Sequence, residues 1–260
     1  MPFYDLQPKN FVLRSRFYTS FTTSSPERKS NIKTASKAID KFLLEPNAEF
    51  SFNKTVGPRT EKRGYKTSKI ILDGDFVDGV GGGVCQVSTT LYNAVLLSGL
   101  EITEYHPHSL PVSYVAPSFD AMVSYSFADL RFINNTHNPI ILHTITTDSS
   151  LMVEIYGESS PYTYTRQSIV TGEISAPSEQ IVFDEENKYP NLFLGEKLVL
   201  KYSKPGLKSE GYLITLKNGK PICTKKIRRD SYNAIRGLIV YGKAEKPPII
   251  EENLNELFPN

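Results

Sequence analysis

Tryptophan is absent from this chain, and cysteine, methionine and histidine are scarce: two, three and four residues among 260. Two cysteines, Cys85 and Cys223, exclude a disulfide framework and leave at most a single bridge. That bridge is disfavoured because the two residues fall in segments assigned below to different domains. No apolar run approaches the ~18 residues that a membrane helix needs. The opening MPFYDLQPKNFVLR lacks the charged n-region and apolar h-region of a signal peptide. The expectation is therefore a cytoplasmic chain or an export segment outside this sequence. Charge is nearly balanced, 30 Lys and Arg against 28 Asp and Glu for a net +2. This gives no electrostatic case for nucleic acid, which calls for a concentrated basic face. CxxC and HExxH spacings are missing too, so no metal site or cofactor is expected.

What is present is an ordinary globular composition, 39% hydrophobic and 22% charged, with 15 Tyr and 14 Phe. Aromatic wealth of this kind suits strands, with core packing as the plain reading and a peptide- or sugar-facing surface as the other. The segment SSPERKSNIKTASKAIDKFLLEPN reads as a helix. Ser25 is its N-cap and Pro26 its first turn; Ile32, Ala35, Ile39, Phe42 and Leu43 form the apolar stripe, and Pro46 marks the end. KIILDGDFVDG reads as a hairpin turning at Asp73-Gly74.

The most unusual stretch follows, GVGGGVCQVSTTLYNAV at 79–95. Apolar residues Val84, Val87, Leu91, Ala94 and Val95 have helical spacing, with Ser88, Thr89, Thr90 and Asn93 on other faces and Gly99 as the stop. Cys85 thus stands at a helix N-terminus, where unpaired N–H groups and the helix dipole favour a thiolate and can hold an oxyanion. Gly81 to Gly83 would let a substrate backbone approach it. The alternative is a small buried hydrophobe after a glycine turn.

After Gly99 the period changes to two. EITEY, LPVSYV, AMVSYSF, LRFIN, IILHTI and LMVEIYG read as short antiparallel strands, giving an α+β class. His106 and His108 lie at the start of those strands, and Asp120 and Asp129 are the available carboxylates, Asp120 preferred. His137 and His143 carry no motif. Cysteine on a helix, then histidine on a strand, then a carboxylate is the order found in papain-like and transglutaminase-like enzymes. Beyond about residue 158 the pattern is all strand, with Asn218-Gly219 a strong hairpin signal and GLIVYG a further strand. Cys223 reads as a buried strand residue, KKIRR at 225–229 as a solvated strand face, and 246–260 as an extended tail.

FSFNKTVGPRTEKRGY (50–65), GGGVCQVSTTLYNAVLLSGLEITE (81–104), HSLPVSYV (108–115), DAMVSY (120–125) and DLRFINNTHNPI (129–140), in that order, resemble a VanW domain. The resemblance covers about Phe17 to Gly157; the pattern itself loosens at GESSPYTYTRQS (157–168), and a boundary there gives 10–158 for that domain and 170–245 for an all-β module, whose residues 190–245 resemble G5 domains. The VanW resemblance implies a location at the cell wall or outer face. Some members of the family are peptidoglycan L,D-transpeptidases with a cysteine nucleophile, which corresponds to Cys85; the family histidine corresponds to His108. Tyr105 stands where the family commonly has arginine, and Ser118 where it commonly has glycine. The expected site is Cys85, His108 and Asp120 for catalysis, with Gly82, Gly83, Gln86 and Arg59 holding the oxyanion or substrate. The expected partners are peptidoglycan stem peptides and glycan. A non-catalytic wall-binding protein, or a structural partner of a resistance or sporulation assembly, is the alternative.

Overall fold

A computed structural model describes residues 11–72 and 75–246. The described residues form two compact units that do not follow chain order: one takes residues 11–174 together with 206–233, the other takes 175–205 and 234–246.

In the first unit, β1 (Val12–Ser20), β2 (Phe42–Leu44), β8 (Ile140–Thr146) and β9 (Ser150–Gly157) make an antiparallel sheet in the order β1-β9-β8-β2. A small sheet joins β3 (Glu49–Ser51), β7 (Arg131–Ile133) and β6 (Glu101–Glu104), and β4 (Thr67–Leu72) pairs with β5 (Asp75–Val80). The Asp73-Gly74 turn joining that pair lies outside the described residues, as does the tail from 247. The helices are α1 (Pro26–Ile39), α2 (Phe52–Val56) and α3 (Val84–Ser98). The sheet face is built by alternation: Leu151, Val153 and Ile155 of β9 are fully buried against α3, which also packs on β1 and α1. The class is thus α+β, with antiparallel sheets.

Helix α1 starts as its sequence dictates, with Ser25 Oγ accepting from Arg28 N and Pro26 in the first turn. It ends earlier than its apolar stripe suggests. Asp40 leaves helical geometry and Lys41 has φ +59°. Phe42 to Leu44 then join β8 as a strand. The Asp40 carboxylate fixes this exit by accepting from Thr144 N and His143 Nδ1, both at 2.8 Å.

Helix α3 begins and ends where its glycines predict, with Gly83 and Gly99 both left-handed. Its polar face is not solvated, however. Ser88, Thr89, Thr90 and Asn93 are as completely buried as Val87 and Leu91. Thr90 bonds Thr19 Oγ1 and Gln86 O, whereas Ser88, Thr89 and Asn93 reach backbone groups of the segment 105–128, which is not the pair of strands that LPVSYV and AMVSYSF suggest. Ser88 Oγ donates to Ala121 O at 2.6 Å, Thr89 Oγ1 accepts from Ala121 N at 2.9 Å, and Asn93 Nδ2 donates to Phe119 O at 2.8 Å. From Phe119 to Val123 the hydrogen bonds that a sheet neighbour would supply come instead from one helix face, and these residues run as an irregular strap across α3.

The first unit also holds a long antiparallel sheet in the order β10 (Tyr162–Ile174), β13 (Gly206–Lys217), β14 (Lys220–Tyr232). Asn218 and Gly219 turn β13 into β14 with φ +52° and +73°, the positive values of a two-residue hairpin. Cys223 on β14 is exposed, not buried, and both cysteines are free. In the second unit, β11 (Gln180–Phe183) pairs in parallel with β15 (Leu238–Tyr241), whose other edge takes β12 (Lys197–Lys201) antiparallel. Among the described residues no helix is long and apolar enough to cross a membrane, and no cluster of His, Cys, Asp and Glu could hold a metal ion.

Candidate active site

Cys85 lies in the first turn of α3, half-buried, with its thiol donating to Val123 O at 3.4 Å. The strap across α3 brings His108 and Asp120 beside it, from irregular backbone and not from strands. Asp120 is 1% exposed and His108 6%. One carboxylate oxygen, Asp120 Oδ2, accepts from His108 Nδ1 at 2.7 Å and from His108 N at 2.6 Å. This double hold fixes both the backbone and the ring of His108, and with Nδ1–H committed to the carboxylate it is Nε2 that is available to the thiol.

The electrostatics run along the same line. Burial pushes the Cys85 thiol up, but hydrogen bonding and charge from His108, with a further contribution from Arg59, outweigh burial and hold it below the ordinary thiol range. Burial alone would lower His108; its hydrogen bonds to Asp120 and Cys85, and their charges, push it up to about 9. Burial likewise opposes ionisation of Asp120, and His108, Arg228 and Tyr232 reverse this and keep the carboxylate below its usual range. Thiol and imidazole are coupled, so they titrate as a pair that favours thiolate with imidazolium.

The expected auxiliary residues divide. Arg59 lines the cleft that Cys85 and His108 open into, of about 620 Å3. Its guanidinium lies over the Phe52 ring at 5.6 Å, and both terminal nitrogens are buried without a hydrogen-bond partner. Arg28 and Lys69 line the same cleft, and among the described residues no carboxylate does. Gln86, by contrast, is engaged within the protein. Its Nε2 donates to Thr19 Oγ1 and Ser20 O at 3.0 and 2.9 Å, Oε1 accepts from Arg28 at 2.8 Å, and its backbone N–H donates to Gly83 O at 3.0 Å. Gly82 and Gly83 border the cleft, but packing also requires them. A Cβ on Gly82 would stand 2.6 Å from Lys69 O; one on Gly83, at φ +106°, would stand 3.0 Å from Arg28 Cγ and Ile32 Cγ1.

The other candidates sit elsewhere. Asp129 accepts from Ser51 Oγ, Asn53 N and Arg131 Nε, tying β3, α2 and β7 together. His106 pairs with Glu104 at 2.9 Å and His143 with Asp40 at 2.8 Å. His137 donates its backbone N–H to Glu158 at 3.1 Å.

Two residues at the site escaped the sequence reading. Tyr232 OH donates to Asp120 Oδ1 at 2.6 Å and accepts from Ser118 N at 2.7 Å. Arg228 donates to the Asp120 carbonyl oxygen, has Nη2 3.5 Å from Asp120 Oδ1, and pairs through two 3.0 Å bonds with Asp230. The Arg228 guanidinium also stacks on the Tyr105 ring at 4.5 Å, so the tyrosine at that position carries a cation on its face. KKIRR is therefore not a uniformly solvated face. Along β14 the pattern from Arg228 alternates buried and exposed through Tyr232. Period two on Arg228, Asp230 and Tyr232, an opposite-charge pair and a tyrosine on one face, was the signal available.

The profile of a family described as "VanW like protein" matches residues 27–156. "Uncharacterized protein YoaR" of Bacillus subtilis (strain 168) is 43% identical over 141 residues, 54% of this chain and 46% of that protein. "Vancomycin B-type resistance protein VanW" of Enterococcus faecalis is 26% identical over 136 residues, 50% of each. The chain thus spans about half the length of these relatives. Among solved structures, two G5 domains, one from an IgA1 protease, each align with 32% of this chain at 19% and 22% identity. Their TM-scores of 0.21 and 0.17 carry no argument about fold or function. The profile match covers half of the sequence and contains Cys85, His108 and Asp120 together, and on that ground the chain belongs to the VanW-like family.

Proposed function

We propose that this chain is a cysteine acyltransferase acting on peptidoglycan stem peptides, of the L,D-transpeptidase type. The observation that carries the reading is the line Cys85, His108, Asp120, with a half-buried thiol opening into a cationic cleft. The Cys85 thiolate attacks the carbonyl of a diaminopimelate–D-Ala bond, and the Cys85 N–H at the start of α3 stabilises the oxyanion. The intermediate collapses with cleavage of the C–N bond, and D-Ala leaves with the proton of the His108 imidazolium. The resulting thioester is attacked by an amine of a second stem, whose proton passes to neutral His108 as the thiolate departs. A 3–3 crosslink results; with water in place of the amine the outcome is hydrolysis. An inert wall-binding protein would be favoured by a wholly enclosed thiol or by a histidine remote from it, and this site has neither feature.

The test is incubation of the chain with purified stem tetrapeptide dimers, followed by intact-mass and product analysis. The expected result is a mass gain equal to the acyl group, mapped to Cys85, and a 3–3 product. Binding to wall without adduct or product overturns the enzyme reading in favour of the binding one.

Arg59 gives a second prediction. In this reading its unpartnered guanidinium receives a stem carboxylate, and a charge-assisted hydrogen bond of about 1.5–3 kcal/mol corresponds to roughly 10–150-fold in kcat/KM. Arg59→Met should lose that factor on a carboxylate substrate over and above the smaller loss, shared with the matching carboxamide, that follows from its contribution to the low Cys85 thiol. It should not lower the melting temperature of the free protein, because it removes two buried nitrogens that lack partners. A clear drop in melting temperature with equal losses on both substrates would return Arg59 to a structural role.

A further inference from the structure

We infer that Arg228 and Tyr232, on a hairpin strand far outside the family-matched segment, are positioning residues for the Cys85–His108–Asp120 line. The catalytic unit of this chain therefore includes the β13–β14 hairpin. The inference rests on the acyltransferase reading for its chemistry, and on geometry alone for its structure.

Asp120 is fully enclosed, and its two oxygens have divided duties. Oδ2 faces His108 and takes its backbone N–H and its Nδ1–H. Oδ1 faces β14, where Tyr232 OH and Arg228 Nη2 meet it, while Arg228 also holds the Asp120 backbone carbonyl. Without the β14 contacts the carboxylate could rotate about its terminal torsion, which is broad and two-fold for Asp. Either oxygen would then serve His108, and the ring would lose its fixed direction toward Cys85. The hairpin also pins the strap immediately before Asp120. Ser118 has φ +64°, donates its N–H to Tyr232 OH, and shares a 2.7 Å hydroxyl bond with Ser209 of β13. Gly211 of β13 permits this approach, since a Cβ there would lie 2.9 Å from Ser118 O.

The charges facing Asp120 are His108 with Cys85 behind it, the Arg228–Asp230 pair, and the hydroxyls of Tyr232 and Tyr114. Arg228 and the Tyr232 hydrogen bond both stabilise the Asp120 anion. Removing either makes the carboxylate a stronger base toward His108. The imidazolium is then held more tightly and surrenders its proton to the leaving amine less readily.

The test pairs two hairpin variants in the full chain. Tyr232→Phe removes one hydroxyl from the Asp120 contact. Ser209→Ala loosens hairpin docking without touching Asp120. Three readouts are taken: the NMR titration of the His108 ring with the low-field Nδ1–H signal, kcat and KM, and the melting temperature. For Tyr232→Phe the His108 titration moves above the wild-type value, the Nδ1–H signal broadens or shifts, and kcat falls about 10-fold with KM unchanged. For Ser209→Ala the melting temperature falls while the His108 signature stays at wild type. The inference is overturned if Tyr232→Phe lowers only the melting temperature and leaves the His108 titration and Nδ1–H signal at wild type. The NMR readout needs no substrate, so it separates this outcome from failure of the acyltransferase reading.

Discussion

His108→Asn should slow acylation of Cys85 by about 10^2–10^4-fold, the usual range for loss of a positioned acid–base group. The substitution keeps a planar, hydrogen-bonding side chain that can still donate to Asp120 Oδ2, so the strap across α3 should hold. What is lost is the group that both lowers the thiol and delivers a proton to the leaving amine. The thiol then answers to burial, which drives it upward, and alkylation by iodoacetamide at neutral pH falls along with turnover. The pH profile is the sharper measurement. In the wild type the active pair is thiolate with imidazolium, so turnover rises as the thiol ionises below the ordinary thiol range. It falls again as His108 gives up its proton near about 9. In His108→Asn the descending limb disappears and the ascending limb moves to higher pH. A variant that keeps the wild-type alkylation rate and profile would mean that Cys85 is activated without His108, and the proposed mechanism would fall.

The parts of this site that were legible in sequence are those governed by local rules. Glycines bracket a 3.6-residue period at 84–98, and that alone places Cys85 in a first helical turn. The chain order of Cys85, His108 and Asp120 survived into space because the strap is short and fastened at several points along one helix face. What was not legible depends on partners remote in sequence. LPVSYV and AMVSYSF alternate as strands do, but neither forms a strand: Ala121 and Val123 bond side chains of α3 in place of a neighbouring strand, and alternation cannot tell the two apart. Gln86 follows the nucleophile and so invites an oxyanion role, yet its amide fastens α3 to β1 and α1. Arg228 looked like one cation in a basic run. Period two with Asp230 and Tyr232 hinted at one face, but which face turns inward is set by the fold, where Arg228 is buried while Arg229 and Lys226 pair with Glu210.

The largest stability effect outside the apolar core is expected at Asn31. This residue of α1 is completely buried, and its side chain makes three hydrogen bonds to two backbone segments. Nδ2 donates to Lys66 O at 2.8 Å and Gly82 O at 3.0 Å, while Oδ1 accepts from Lys66 N at 2.7 Å. One amide thereby locks the start of β4 and the glycine loop onto α1, which sets where α3 begins and where Cys85 points. Asn31→Ala strands two backbone groups, Lys66 N and Gly82 O, at about 1–3 kcal/mol each if they stay dry, while Lys66 O keeps its bond from Gly81 N, so a net loss of about 2–4 kcal/mol is expected. Against a total stability of about 5–15 kcal/mol this is large, and at roughly 2–4 °C per kcal/mol it lowers the melting temperature by about 4–16 °C. Thr34→Ala, which removes a local bond to Ser30 O on the same helix, should cost far less and serves as the comparison. Because the bonds run to the loop preceding Cys85, Asn31→Ala should also slow thiol alkylation well below its melting transition. Thr34→Ala should leave alkylation unchanged. Equal melting temperatures for the two variants would mean that the glycine loop is held by its own close packing against β4 and α1, with the Asn31 amide redundant.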